Sequence, residues 1–333
     1  MPPATPLLFV GLGPIGRSAL AHALGRRNVR VVGACDADPE LAGRRLSELV
    51  AGAPASVRVV SDVAALPKAA RGAVAVVCTS SHLERAGAMF EALVDRRLHV
   101  VSSCEELVFP RFRHPGWTRK IDALARRRGV ALLGTGVNPG FVLDLLPALL
   151  TGPCLSIAAV RAHRVVDAAT RRGPLQRKVG AGRTIEEFKA EVAAGRLGHV
   201  GLPESAELLC HALSFGRPKI DESIEPVVAR DAIETPFVRV EPGRVAGIDH
   251  RLVATARRGR VELHLQMYVG AATPADEIEI DGEPPMRACI DGGTQGDLAT
   301  VAALLNAAPR MGDVAPGLRT VIDGPFPLCR ALG

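Results

Sequence analysis

The chain has 333 residues, with 41 Lys and Arg against 35 Asp and Glu and a formal net charge of +6 with neutral histidines. Hydrophobic residues make up 47% and charged residues 23%, ordinary globular usage that excludes a disordered, collagen-like or highly charged tail protein. This length predicts two domains and a core that needs no covalent staples.

LLFVGLG (7–13) reads as a short strand ending in glycines, and GRSALAHALG (16–25) as a helix with a Gly stop. VRVVGACD (29–36) is a β-branched strand. PELAGRRLSELVAG (39–52) is amphipathic and opens with Pro at the first helical position, predicting a second helix. VRVVSD (57–62), VAVVCTS (74–80), LHVVSSC (98–104) and VALLGTG (130–136) are further strands, and the helix-like HLERAGAMFEALVDRR follows VAVVCTS. Near-continuous apolar strands separated by helices predict a parallel sheet covered on both faces, a doubly wound Rossmann-type α/β domain over residues 1–137.

The pattern changes after Pro139. GFVLDLLPALL (140–150) predicts one more helix. LSIAAVRAHRVVDA (155–168), HRLVATA (250–256), RVELHLQMYVGA (260–271) and EIEIDG (277–282) are longer strands. Alternation such as VELHLQMYV predicts a largely antiparallel sheet with one covered face. TIEEFKAEVAAG (184–195) and PESAELLCHALSF (203–215) interrupt it as helices, giving an α+β second domain over 138–294. GDLATVAALLNAAP (296–309) is a last helix, and residues 295–333 are expected to return to the first domain. RRGPLQRKVGAGRT (171–184), Gly-rich and basic, reads as a mobile loop.

Aromatic residues are few: nine Phe, one Trp and one Tyr. Binding nucleic acid by base stacking needs exposed aromatics in a basic groove, so no nucleic-acid partner is expected. The positive charge is spread along the chain and favours anionic small molecules only mildly. Cys35, Cys78, Cys104, Cys154, Cys210, Cys289 and Cys329 form no CxxC pair. A disulfide framework or a metal site is therefore not expected, and buried reduced thiols of a cytoplasmic protein are. The N-terminus lacks the basic start of a signal peptide, and no segment approaches the ~20 apolar residues that span a bilayer, so no membrane partner is expected.

Gly11, Gly13 and Gly16 form GLGPIG, a GxGxxG loop between a predicted strand and a predicted helix. The three glycines serve a tight turn, close approach of a pyrophosphate and close helix packing. Pro14, Ile15 and Arg17 open that helix, whose N-terminus would face the phosphates. Asp36 ends the second strand, about twenty residues after Gly16, where a ribose hydroxyl is held. It should repel a 2′-phosphate, so NAD(H) is the expected cofactor. Arg17, Arg44 and Arg45 lie near enough in sequence to leave NADP(H) open.

CTSSH (78–82) and SSCEE (102–106) leave their strands at the carboxyl ends, which line the ligand crevice of an open α/β sheet. Thr79, Ser80, Ser81 and His82 are placed to hydrogen-bond near a nicotinamide, with Cys104 beside them. His82 equally suits a helix cap. Glu105 and Glu106 either cap a turn or serve as general acid and base. In GTGVNPGFVLD (134–144), Gly136, Asn138 and Gly140 permit a tight crossing, and Phe141 is either a pocket wall or a core aromatic.

GLGPIGR, VVSSCEEL (100–107), GTGVNPGFVLDLLP (134–147), RVVDAATRRGPLQRKVGAG (164–182), GHVGLPES (198–205) and GGTQGDLATVAALLNAAP (292–309) together resemble the 2,4-diaminopentanoate dehydrogenase family, which includes native NAD(P)-dependent amine dehydrogenases and is related to dihydrodipicolinate reductase. The resemblance covers nearly the whole chain. It implies oxidative deamination of a primary amine, the reverse reductive amination of a ketone or aldehyde with ammonia, and a homodimer built on the second, substrate-binding domain. It places the catalytic glutamate at Glu105, with Glu106 as its supporting neighbour. Phe141, Asn138, Arg164 and His199 become candidate substrate contacts, Arg164 as a clamp for a substrate carboxylate. Three other readings stay open: an imine or enoate reductase of the dihydrodipicolinate type, a dehydrogenase of hydroxy acids or sugars with His82 as acid/base, and a non-catalytic NAD-binding regulator. The His-His-x-x-Lys motif of true dihydrodipicolinate reductases is absent from the sequence.

Overall fold

The computed structural model describes residues 3–68, 72–171 and 173–324. The chain divides into two compact units. One runs to Phe141 and resumes at Gln295; the other spans Val142–Thr294.

The first unit opens with β1 (Thr5–Val10), α1 (Pro14–Leu24), β2 (Val29–Cys35), α2 (Leu46–Leu49) and β3 (Val59–Val60). It continues with β4 (Val74–Val77), α3 (Leu83–Asp95), β5 (His99–Ser102), α4 (Pro115–Arg128) and β6 (Ala131–Gly134). The strands β4, β5 and β6 are buried at every residue, as near-continuous apolar runs require in a sheet covered on both faces. Leu8, Val10, Val77, Val100 and Leu132 pack with Phe90, Leu93 and Ile121 of α3 and α4.

Two expectations fail here. The helix expected over 39–52 is reduced to the single turn of α2. Gly43 takes a left-handed φ of +78°, its amide bonds to the Val59 carbonyl, and Arg45 pairs across to Arg58, so tertiary pairing outcompetes the amphipathic pattern. The strand expected over 57–62 shrinks to β3 at the sheet edge. Helix α4 went unread, although Pro115 begins it and Gly129, at φ +71°, ends it.

The second unit contains α5 (Leu145–Leu150), β7 (Ser156–Asp167), α6 (Gly173–Lys178), α7 (Ile185–Ala193), α8 (Leu202–Ala212) and β8 (Lys219–Val228). The short pair β9 (Ile233–Glu234) and β10 (Arg239–Val240) follows, then β11 (Val245–Ala256), β12 (Gly259–Tyr268), β13 (Ala275–Glu283) and β14 (Met286–Asp291). Its sheet has the order β14-β13-β7-β12-β11-β8. All neighbours are antiparallel except β12 and β7. One face is buried, with Val160, Ala162, Leu252, Leu263, Leu265 and Ile278 on it. The other is polar: His163 stacks on His264 at 4.3 Å, and Gln266 and Asp249 bond to that pair.

The stretch 171–184 is not the loop its composition predicts. It contains α6, anchored by buried Gln176, whose amide donates to the Ala169 and Arg171 carbonyls and whose oxygen accepts from Thr235 Oγ1 at 2.7 Å. Strands β8 and β14 went unread because, as edge strands, they bury no residue fully: β8 exposes six of its ten residues and β14 three of its six.

The chain then re-enters the first unit with α9 (Gly296–Ala307) and β15 (Gly317–Arg319). β15 pairs in parallel with β6 and completes a seven-stranded sheet of order β15-β6-β5-β4-β1-β2-β3. The first unit is thus a doubly wound Rossmann-type domain, and the second an α+β unit with a largely antiparallel sheet. Among the described residues every cysteine is free, no side-chain group stands ready to hold a metal, and no helix is long and apolar enough to cross a membrane. Cys329 lies outside the described residues.

Candidate functional site

The glycine loop joins β1 to α1. Gly11 takes φ +86°, and its amide donates to the Cys35 carbonyl at 2.9 Å. A Cβ there would meet the Cys78 carbonyl and the Thr79 methyl; a Cβ on Gly16 would run into the Gly11 carbonyl oxygen. A Cβ on Gly13 would meet nothing within 4 Å. Gly11 and Gly16 are therefore required by packing, whereas Gly13 faces open space. Gly13 caps α1 with no side-chain partner, Pro14 occupies the first helical position, and Ile15 follows it half-buried. The positive end of the helix dipole thus lies at the most open point of the loop, as anion binding demands.

Asp36 closes the other side. Its Oδ2 accepts from the Leu12 amide at 2.5 Å and its Oδ1 from the Asp38 amide at 2.9 Å. Gly11, Gly13, Asp36, Asp62, Thr79 and Met89 line a cleft of about 630 Å³. These residues fit a dinucleotide: an unobstructed glycine for the pyrophosphate, and an aspartate with acceptor capacity to spare for ribose hydroxyls. Two of the three arginines expected near a 2′-phosphate are engaged elsewhere. Arg17 Nε donates to the Leu12 carbonyl at 2.7 Å, and Arg44 pairs with Glu48.

At the carboxyl ends of β4 and β5 the two exit segments are stitched together. Ser81 Oγ donates to Glu105 Oε1 at 3.1 Å. The Ser81 carbonyl accepts from the Glu106 amide at 3.1 Å and from Cys104 Sγ at 3.3 Å. Ser80 Oγ accepts from the His82 amide. Glu105 is half-buried and begins a one-turn helix, Glu105–Leu107.

Its neighbour Glu106 is only 4% exposed. Glu106 accepts from the Leu83 amide at 2.7 Å, from Arg113 Nη1 at 3.2 Å, and lies 3.1 Å from both His82 Nδ1 and His114 Nε2. Burial by itself would raise its pKa. The Leu83 amide, His82, His114 and Arg113 outweigh burial and hold the carboxyl below the ordinary glutamate value.

His82 stands at the N-cap of α3 and turns Nδ1 toward Glu106, its side chain 44% exposed. One sequence expectation changes here. Cys104 is 1% exposed, and its thiol is pushed up to about 12 by burial foremost. Its side chain offers no surface to a cofactor. Arg113 and His114 were missed by sequence reading, because only the fold brings them to Glu106.

After β6 the segment 135–141 is tied to β5 and α9 and doubles back on itself. The Thr135 amide bonds to Ser102, and the Val137 amide to Thr300 Oγ1 of α9. Gly140, at φ +123°, lies too close to the Thr135–Gly136 backbone for any side chain. These ties keep Asn138 and Phe141, both half-buried, with the first unit, so the boundary falls after Phe141 rather than after Val137.

In the second unit Arg164 is not a free clamp. It is 2% exposed; Nη1 donates to Asp276 Oδ2 at 3.0 Å and Nη2 to the Thr294 carbonyl at 2.6 Å. Burial lowers its pKa and Asp276 raises it, with a net lowering. The reason is register: Arg164 of β7 stands directly opposite Asp276 of β13 on the buried face. His199, half-buried, lies in a turn bounded by Gly198 and Gly201, both in the left-handed region.

Residues 141–332 match the family model for the 2,4-diaminopentanoate dehydrogenase C-terminal domain. A 2,4-diaminopentanoate dehydrogenase from Acetoanaerobium sticklandii is 30% identical over 339 aligned positions, covering 96% of this chain and 93% of the relative. Among solved structures, an amine dehydrogenase from Mycobacterium smegmatis matches with a TM-score of 0.84 at 23% identity, covering 98% of this chain and 97% of that one. An NAD binding oxidoreductase from Klebsiella pneumoniae matches with a TM-score of 0.55 at 12% identity, covering 96% and 93%. At these identities the two structures establish a shared fold.

Proposed function

The chain belongs to the 2,4-diaminopentanoate dehydrogenase family, and from that premise we propose that it is an NAD(P)-dependent amine dehydrogenase in which Glu105 handles the proton and the ammonia. It deaminates a primary amine oxidatively to a ketone and, in reverse, aminates a ketone or aldehyde reductively with ammonia. The observation that carries the reading is the placement of Glu105, a half-buried carboxylate at the carboxyl end of β5, in the unit that also holds the dinucleotide cleft.

The bound nicotinamide cofactor supplies the acceptor or donor of hydride. In the oxidative direction the amine carbon loses its hydrogen with the bonding pair and the C–N bond becomes an iminium. Glu105 takes a proton as water adds to that carbon and returns it to nitrogen; the C–N bond then breaks, ammonia leaves, and the carbinol hydroxyl releases its proton as the carbonyl forms. In reverse, the Glu105 carboxylate holds ammonia for attack on the carbonyl. Gly11, Gly13, Pro14, Ile15, Gly16 and Thr79 shape the dinucleotide site, and Asp36 takes ribose hydroxyls and disfavours NADPH against NADH. Asn138, Phe141 and His199 are the proposed substrate contacts. We take the working assembly to be a homodimer and its compartment the cytoplasm, the latter consistent with free buried thiols such as Cys104 and Cys210.

The test is oxidation of NADH and of NADPH by the purified protein with 4-oxopentanoate or cyclohexanone, in ammonium buffer and in ammonium-free controls. Ammonium-dependent oxidation that is lost in Glu105→Gln, with NADH binding retained, is the expected result. Turnover that ignores ammonium, or survives Glu105→Gln, overturns the reading.

A further inference from the structure

The carboxylate of Glu105 meets a hydroxyl that comes from the neighbouring strand's exit. Ser81 touches the Glu105 segment in three ways: its hydroxyl bonds to Glu105 Oε1, and its carbonyl receives both the Glu106 amide and the Cys104 thiol. Two residues further on, the Leu83 amide donates to Glu106 Oε2. The segments leaving β4 and β5 are thus joined by bonds running in both directions. Of these bonds, the one from Ser81 Oγ reaches the carboxylate proposed to react, and it is donated by a neutral hydroxyl.

We propose that Ser81 is a positioning residue for Glu105, fixing its carboxylate and favouring the ionised form that accepts a proton. This rests on the reading of Glu105 as the proton-handling group. A hydroxyl that donates to a carboxylate stabilises the anion over the acid. It also removes rotational freedom from a side chain whose oxygen must meet a small, weakly held nucleophile. The three contacts separate cleanly by chemistry. The two made by the Ser81 carbonyl belong to the backbone and survive any side-chain change. Of the three, alanine removes the hydroxyl contact, so the substitution separates the effect on the carboxylate from the backbone ties.

The experiment compares Ser81→Ala, Ser81→Thr and Glu105→Gln in the full-length protein. It reads pH–rate profiles of ammonium-dependent NADH oxidation, the KM for ammonium, NADH affinity by fluorescence and the melting temperature. Loss of one hydrogen bond to the carboxylate predicts that Ser81→Ala moves the acid limb to higher pH by about one unit and raises the ammonium KM about fivefold. NADH affinity stays at the wild-type value. Ser81→Thr, which keeps the hydroxyl, restores the acid limb. Should Ser81→Ala fold poorly, Ser81→Cys, with a weaker donor, is expected to show an intermediate shift. A rate that falls in Ser81→Ala with an unmoved acid limb, or a limb equally displaced in Ser81→Thr, overturns the role of Ser81. Retained turnover in Glu105→Gln overturns the underlying reading instead, whatever Ser81 does.

Discussion

The Leu12 amide donates to Asp36 Oδ2 at 2.5 Å, so the acidic end of β2 holds the middle of the glycine loop. One carboxylate therefore has two duties: it shapes the loop and presents negative charge where a ribose would sit. Replacing it separates them. Asp36→Ser is expected to lower kcat/KM for NADH and to shift the NADH/NADPH preference at least about tenfold toward NADPH, about 1.4 kcal/mol of discrimination. A preference ratio that stays constant while both rates fall equally would assign Asp36 to the loop alone.

Gly13 and Gly16 make a contrasting pair. A methyl at position 16 collides with backbone, which cannot yield cheaply. Gly16→Ala is expected to unfold or severely destabilise the first unit. Gly13 has φ −67° and free space around it, so Gly13→Ala should melt close to wild type. The added methyl stands where a pyrophosphate approaches, and NADH affinity should drop about tenfold. Titration calorimetry and thermal melts of both variants check the pair.

Glu106 makes the native state sensitive to acid. Its carboxyl titrates below the ordinary glutamate value of 4.5 in the fold. Its contribution to stability is therefore complete above that value and is lost as pH falls through the lower, folded one. Glu106→Gln leaves the buried Leu83 amide and the His82–Arg113–His114 cluster without their anion, a cost of roughly 1–3 kcal/mol near neutral pH. Urea denaturation of both proteins should show that gap at pH 7 and its closure well below pH 4.5. A gap independent of pH would mean the carboxylate's charge is irrelevant.

The buried pair Arg164–Asp276 is expected to govern stability rather than substrate choice. Arg164→Met strands a buried carboxylate and should cost about 3–5 kcal/mol, partly recovered in the Arg164→Met/Asp276→Leu double variant. Relative rates with 4-oxopentanoate and with an uncharged ketone should stay within about twofold of wild type in the double variant, since a clamp would be worth a charged hydrogen bond or more. Selective loss of the carboxylate-bearing substrate would restore the clamp reading.

The apolar strands β1, β4, β5 and β6 were legible because they are buried on both faces, so composition alone marks them. The alternating strands β7, β11 and β12 were legible because one face is covered. The helix expected over 39–52 was not, because the apolar pattern there is satisfied by a strand-like bridge and a left-handed Gly43. β8 carries the sequence KIDESIEPVV and exposes most of it, so no hydrophobic period announces it. The stretch 171–184 looked mobile from its glycines and arginines, yet one buried amide, Gln176, organises it.

Read by itself, the sequence determined the glycine loop, the acidic residue after β2 and the strand-end position of Glu105, because these follow from local spacing and strand polarity. Only the tertiary structure decided what those groups touch. Glu106 finds two histidines, an arginine and an amide; Ser81 finds Glu105; Arg164 finds Asp276. Partners from different strands and turns meet through sheet order and register, and a one-residue change in the β7–β13 register would part Arg164 from Asp276.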